Sequence, residues 1–143
     1  MVNILSYRMR SHHSIINNLY TLSGIEKNNN GCIYKITLNP DNPIYKGHFP
    51  DKPVTPGVCL MAMVLHCASD FLKRDLRYGS IKECKFIDAV LPENPNESIA
   101  PLPLQAELQI TPLTDTPETW NLKAQLSVEG KSKLKIRAQL ITL

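Results

Sequence analysis

Three segments in the second half of the chain alternate apolar and polar residues with period two. Leu104, Ala106, Leu108 and Ile110 alternate with Gln105, Glu107 and Gln109; Trp120, Leu122, Ala124, Leu126 and Val128 alternate with Asn121, Lys123, Gln125 and Ser127; Leu134, Ile136, Ala138 and Leu140 alternate with Lys133, Lys135, Arg137 and Gln139. Successive side chains of a strand point to opposite faces, so each segment predicts a strand with one buried and one wet face, as in an antiparallel sheet covered on one side. Glu129-Gly130 turns the chain between the second and third segments. Earlier, Ile15 to Glu26 and Cys32 to Leu38 predict a hairpin about the turn Asn28-Asn29-Asn30-Gly31. Residues 1 to 14 give only a short helical start, and Leu91 to Pro103, rich in Pro and Asn, reads as a long loop.

From about 56 to 74 the pattern is helical. Val58, Leu60, Met61, Ala62, Met63, Val64 and Leu65 leave almost no polar face, and a helix apolar all round must be covered all round. A strongly curved antiparallel sheet wrapped about it supplies that cover. The second half turns polar at Ser69, Asp70, Lys73 and Arg74, which predicts that it emerges into solvent, with cations in the last turn suiting the helix dipole. The expected class is α+β, one long central helix inside a curved sheet, with residues 1–143 forming a single domain that shows no repeat or internal boundary.

Length and charge narrow the function. The chain has 143 residues, a formal charge of +3 and a pI near 8.7, and no Lys/Arg run resembles a nucleic-acid footprint. The N-terminal apolar stretch is too short for a secretory signal and no window has the length of a membrane span, so a soluble, cytoplasmic protein is expected. Cys32, Cys59, Cys67 and Cys84 lack CxxC spacing and are expected to be buried reduced thiols. His12 and His13 are adjacent, His48 is alone and His66 lies on the apolar helix, so no metal-ligand pattern forms. No cofactor is expected.

Candidate chemistry lies in Gly47-His48-Phe49-Pro50-Asp51-Lys52-Pro53-Val54-Thr55-Pro56-Gly57-Val58. Its three prolines hold the backbone extended, predicting a rigid loop that presents His48 ahead of the helix. Thr55 is the expected N-cap, Pro56 the first helical residue, and Gly57 leaves the free N–H groups of the helix unshielded where a carbonyl oxygen gaining negative charge can sit. On these residues alone His48 is either a base beside an oxyanion-type site or a histidine that merely ends a strand.

The spacing of Gly47-His48-Phe49-Pro50, Pro53 and Pro56-Gly57-Val58 resembles the signature of the FabA/FabZ family of 3-hydroxyacyl-(acyl carrier protein) dehydratases, which have the hotdog fold. Ile81-Lys82-Glu83-Cys84-Lys85-Phe86 and Val90-Leu91-Pro92 resemble the family's next strand and its end. The resemblance implies His48 as base for the α proton, the Gly57 N–H as oxyanion donor, and Pro56, Phe49, Val58 and position 62 as lining of the substrate site. It also implies acyl carrier protein as the partner that delivers the acyl chain, and a dimer in which the His and the acid of each site come from different protomers. One position departs from the pattern: the residue five beyond the Gly of Pro-Gly carries the family's acid, and here it is Ala62. A methyl group neither donates a proton nor holds a water.

His66, one turn on and about 6 Å along the axis, is either a substitute acid or a core histidine satisfied by a hydrogen bond. Asp70 is about 12 Å from Ala62 and too far; Cys59 is a weak acid that suits packing; Glu83 and Asp88 flank the following strand and suit solvent. Lys73, Arg74, Arg77, Lys82 and Lys85 are either one basic rim for an acidic carrier protein or a scattered solvated face. Three functions are consistent with these residues: a dehydratase of carrier-bound acyl thioesters in fatty-acid, polyene or other lipid biosynthesis; a subunit that donates His48 to a heterodimer whose other chain supplies the carboxylate; and a binding module that holds acyl thioesters without turnover. A hotdog thioesterase usually needs a helix carboxylate too, so Ala62 argues against it.

Overall fold

A computed structural model of the chain describes residues 17–47, 52–94, 102–116 and 118–143. Strands β1 (Tyr20–Asn28) and β2 (Gly31–Leu38) form a hairpin, followed by the short helix α1 (Ile44–Gly47) and the long helix α2 (Gly57–Leu72). Strands β3 (Leu76–Phe86), β4 (Gln105–Thr116), β5 (Thr119–Val128) and β6 (Lys131–Thr142) complete the chain. The six strands make one sheet in the order β1-β2-β4-β5-β6-β3, every neighbouring pair antiparallel. The helix α2 lies in its concave face, and the result is the hotdog fold.

The alternation in the second half of the chain does what period two requires. Leu108, Ile110, Leu122, Leu126, Leu134, Ile136 and Leu140 are buried with Met63, Val64, Leu65 and Cys67 of α2 in one apolar cluster. Full burial of such side chains contributes about 1.5–3 kcal/mol each. Strand β4 runs past its alternating part, and the register shifts between Pro112 and Thr114, a bulge that accommodates a residue with no N–H to give to the ladder. Gly31 sits hard against β4: its φ is +149°, and a Cβ there would lie 1.9 Å from the Ile110 carbonyl oxygen.

Several expectations need correction. The second half of α2 emerges later than expected: Ser69 and Asp70 are buried, and the exposed Lys73 and Arg74 follow the last helical residue instead of forming its last turn. The first half is not covered all round by its own chain, for Val58 is 67 % exposed. Thr55 does not cap the helix; Pro56 occupies the cap position with extended backbone, and no side chain caps it. Ile44–Gly47 forms a helical turn, and β3 begins at Leu76. Cys84 is only partly buried, unlike the other three cysteines. The expected helical start in residues 1 to 14, the first residues of the expected first strand and the middle of the 91–103 loop lie outside the described residues. The loop's described ends are closed by Asn94 N–H donating to Leu102 O at 2.9 Å and Leu104 N–H donating to Pro92 O at 2.9 Å.

Ser69 shows one defect in this packing. Its Oγ is buried and finds no hydrogen-bond partner among the described residues. Ser69→Ala is expected to stabilise the fold by about 1–2 kcal/mol, because it removes an unsatisfied hydroxyl from the core and installs the best helix former. Chemical denaturation with an unchanged m-value and a raised midpoint checks this; a lowered midpoint contradicts it.

Candidate functional site

The N-terminal end of α2 is built by three contacts. The first intrahelical bonds run from Cys59 N–H and Leu60 N–H to Pro56 O, at 3.0 and 3.2 Å. The N–H groups of Gly57 and Val58 therefore precede the ladder, and among the described residues neither donates to a backbone carbonyl outside it. The ring of Phe86, at the end of β3, lies against Gly57, where a Cβ would sit 2.9 Å from Cζ. A side chain at position 57 would displace that ring, which is the local reason for glycine.

The stretch that carries His48 leaves α1 and returns to α2 between two residues that are themselves joined. Tyr45 is buried and its hydroxyl lies 2.9 Å from Thr55 Oγ1, while Thr55 N–H donates to Val90 O at 2.7 Å. Burial pushes the Tyr45 phenol up, so it remains protonated and able to donate. His48 and Phe49 themselves lie outside the described residues.

Further along α2, Ala62 is 5 % exposed. The turn that bears it is fastened to the edge strand by Tyr78, whose hydroxyl donates to Met61 O at 2.8 Å. His66 is buried, and its Nδ1 is 2.6 Å from the Tyr20 hydroxyl, the two rings meeting edge to face at 74°. Burial pushes the Tyr20 phenol well above its ordinary range, so the hydroxyl keeps its proton.

Asp70 is engaged at both oxygens: Tyr34 O–H donates to Oδ2 at 2.9 Å, and Lys73 Nζ lies 3.4 Å from Oδ1. Tyr34→Phe keeps the ring volume and removes the donor from a buried carboxylate, so it is expected to destabilise the fold by about 1–3 kcal/mol. Thermal unfolding of the variant checks this, and an unchanged Tm contradicts it. Burial pushes up the thiols of Cys59 and Cys67. Glu83 and Asp88 are exposed and pair with Lys85 at 3.8 Å and Lys133 at 2.8 Å; the hydrogen bond from Lys133 holds the Asp88 carboxyl below its usual range.

The five cations read as either one rim or a scattered face are spread over the end of α2 and the length of β3. Lys73 is taken by Asp70, Arg74 stacks 5.8 Å from the Trp120 ring centroid at the C-terminal end of α2, and Arg77, Lys82 and Lys85 are strung along β3. Arg77 and Lys85 stand about 25 Å apart at a strand's rise per residue. The tyrosines at positions 20, 34, 45 and 78, each hydrogen-bonded to or beside α2, escaped the sequence reading. Their one signal is compositional: five Tyr against three Phe in an otherwise aliphatic core.

The geometry and the motif spacing bear directly on ancestry. The sequence profile of the family described as ApeI dehydratase matches residues 24–100, more than half of the chain. This chain belongs to the ApeI-like dehydratase family. A FabZ 3-hydroxyacyl-(acyl-carrier-protein) dehydratase from Methylobacterium radiotolerans is 26 % identical over 123 residues, covering 78 % of this chain and 72 % of that protein. Another, from Levilactobacillus brevis, is 31 % identical over 68 residues, 43 % of this chain and 45 % of that protein. The dehydratase heterocomplex ApeI:P from Xenorhabdus doucetiae superposes with a TM-score of 0.64 at 20 % identity, covering 85 % of this chain and 97 % of that one, which shows the shared fold. Position 62, where the resemblance to the FabA/FabZ family implies an acid, is Ala62 in this chain. No helix among its described residues is long and apolar enough to cross a membrane.

Proposed function

We propose that this chain is the His48-donating subunit of a dehydratase for 3-hydroxyacyl thioesters borne on acyl carrier protein, with the carboxylic acid supplied by another, acid-bearing subunit. The observation that carries the reading is the buried methyl of Ala62 on a helix whose N-terminal end keeps open N–H groups. The binding half of the site is retained and the proton donor is missing. In the reaction, His48 takes the α proton, the C–H electron pair forms the double bond, and the C–O bond at the β carbon breaks. The departing hydroxyl takes a proton from the other subunit's carboxylic acid and leaves as water. The thioester oxygen, enolate-like in between, accepts a hydrogen bond from the Gly57 N–H, with Pro56, Phe49 and Val58 around the acyl group. His48 and the carboxylate are reset by proton exchange with water.

Two further observations support pairing with a second subunit. Val58, Phe86, Ile87 and Ile81 are large apolar side chains left 67, 52, 50 and 44 % exposed, and β3, which carries two of them, is an edge of the sheet. The ApeI:P dehydratase is itself a heterocomplex. A second reading is favoured by one distance: His66, a turn from Ala62 and held by Tyr20 at 2.6 Å, is the acid of an active homodimer. Mixing the chain with an acid-bearing FabZ-type homologue and following hydration of a 2-enoyl thioester separates the two. Activity exceeding that of either protein alone, in a complex that co-purifies, supports the first; activity of this chain alone that His66→Gln abolishes supports the second.

A further inference from the structure

The outward face of the sheet, on the side away from α2, carries an uneven distribution of charge. Lys123 on β5 stands directly opposite Arg137 on β6, and Lys135 on β6 stands directly opposite Lys85 on β3. All four are exposed, and like charges in facing cross-strand positions destabilise a sheet. Between them is a depression of about 310 Å³ whose outward side chains are polar and include Gln125 and one carboxylate, Glu83. Glu83 is held by Lys85 at 3.8 Å, and among the described residues Lys123, Lys135 and Arg137 form no ion pair. Glu83 stands directly opposite Arg137, so four cations share one carboxylate and the plate keeps a net positive charge of three, with two like-charged facing pairs kept at some expense to stability.

We propose, resting on the acyl-thioester reading above, that this plate is where the acidic carrier protein docks, presenting one acidic helix across β5, β6 and β3. The spacing fits a helix better than a small anion. Facing side chains on neighbouring strands are about 5 Å apart and successive outward positions on one strand about 7 Å, close to the roughly 5–6 Å between carboxylates at i, i+3 and i+4 of a helix. The cations are spread in a plane and do not converge on one point as a phosphate would need. The backbone N–H groups beneath them are already used in the sheet ladder. The plate also lies at the right end of the molecule. Lys85 precedes Phe86, whose ring rests on Gly57, so a tether leaving a carrier seated there reaches the N-terminal end of α2 by rounding the end of β3.

The test uses the full chain in its active or carrier-binding assembly and measures affinity for two probes: acyl carrier protein loaded with a non-hydrolysable acyl chain, and the same acyl chain on free pantetheine. Lys123→Glu with Arg137→Glu is expected to weaken carrier binding by about tenfold or more, flatten its salt dependence and leave free acyl-pantetheine binding unchanged. The milder Lys123→Gln with Arg137→Gln should also weaken carrier binding, by less than the charge reversal does. A folded variant that binds the carrier as the wild type does overturns the docking surface, as does a wild type whose plate binds inorganic phosphate or anionic vesicles in preference to the carrier. A wild type that binds neither acyl probe overturns the thioester reading itself.

Discussion

Replacing Ala62 with glutamate is expected to raise the dehydratase activity of this chain's own homodimer by about 10²–10⁴-fold, the usual contribution of one positioned acid. The wild-type methyl is 5 % exposed and surrounded by apolar side chains, so a carboxyl placed there is desolvated. Desolvation raises a carboxyl pKa and keeps the group protonated near neutrality, which is the state an acid for a leaving hydroxyl requires. Added volume in a filled core acts in the other direction, and the variant is expected to lose about 1–3 kcal/mol of stability. Ala62→Gln carries the same volume without the proton and should show the stability loss and no gain in rate. A folded Ala62→Glu protein with no gain would mean that the site lacks more than the acid.

His48→Ala is expected to remove about 10²–10⁴-fold of the activity of a mixed assembly between this chain and an acid-bearing homologue. In the proposed reaction the base acts on the α proton directly, whereas the oxyanion donor assigned to Gly57 is a backbone group that the substitution leaves in place. Affinity for an acyl thioester should therefore change much less than turnover. Equal loss of affinity and turnover would assign His48 to binding, and unchanged turnover would remove it from the reaction. The assay is the initial rate of enoyl-thioester hydration at saturating substrate, with the same variant checked for co-purification.

The sheet was readable in the sequence because a strand with one dry and one wet face writes its burial into every second residue, as Leu122, Ala124 and Leu126 do. The helix was readable as an element but not at its two ends. Ser69 and Asp70 look like a solvent face in a helical pattern, yet Tyr34, 36 residues away on β2, reaches Asp70 and lets it stay buried. Long-range donors of that kind leave no local mark. Val58 errs in the opposite direction: an apolar residue reads the same whether its own sheet or another chain covers it. The roles given to His48, Gly57 and position 62 came from the family resemblance; Gly57 and Ala62 lie at the start and on the buried side of α2, and His48 lies outside the described residues. The partner of His66 was not legible, since Tyr20 is brought to it only by the hairpin's position in the fold. Charge on the outer sheet face was hidden for a related reason. Which cations face each other depends on register, and β3 shifts register between Tyr78 and Ser80 and again between Ile81 and Glu83.

The central claim is that this chain contributes a base and the other subunit contributes the acid, and a directional complementation experiment tests it most directly. In a mixed dimer, one site joins His48 of this chain to the other subunit's carboxylate, and the second joins that subunit's histidine to Ala62. Hydration rates are measured for mixed dimers in which either histidine alone is replaced by alanine. The account predicts that loss of the other subunit's histidine leaves the rate within about twofold while loss of His48 removes it; the opposite pattern, with His48 dispensable and the other histidine essential, contradicts it.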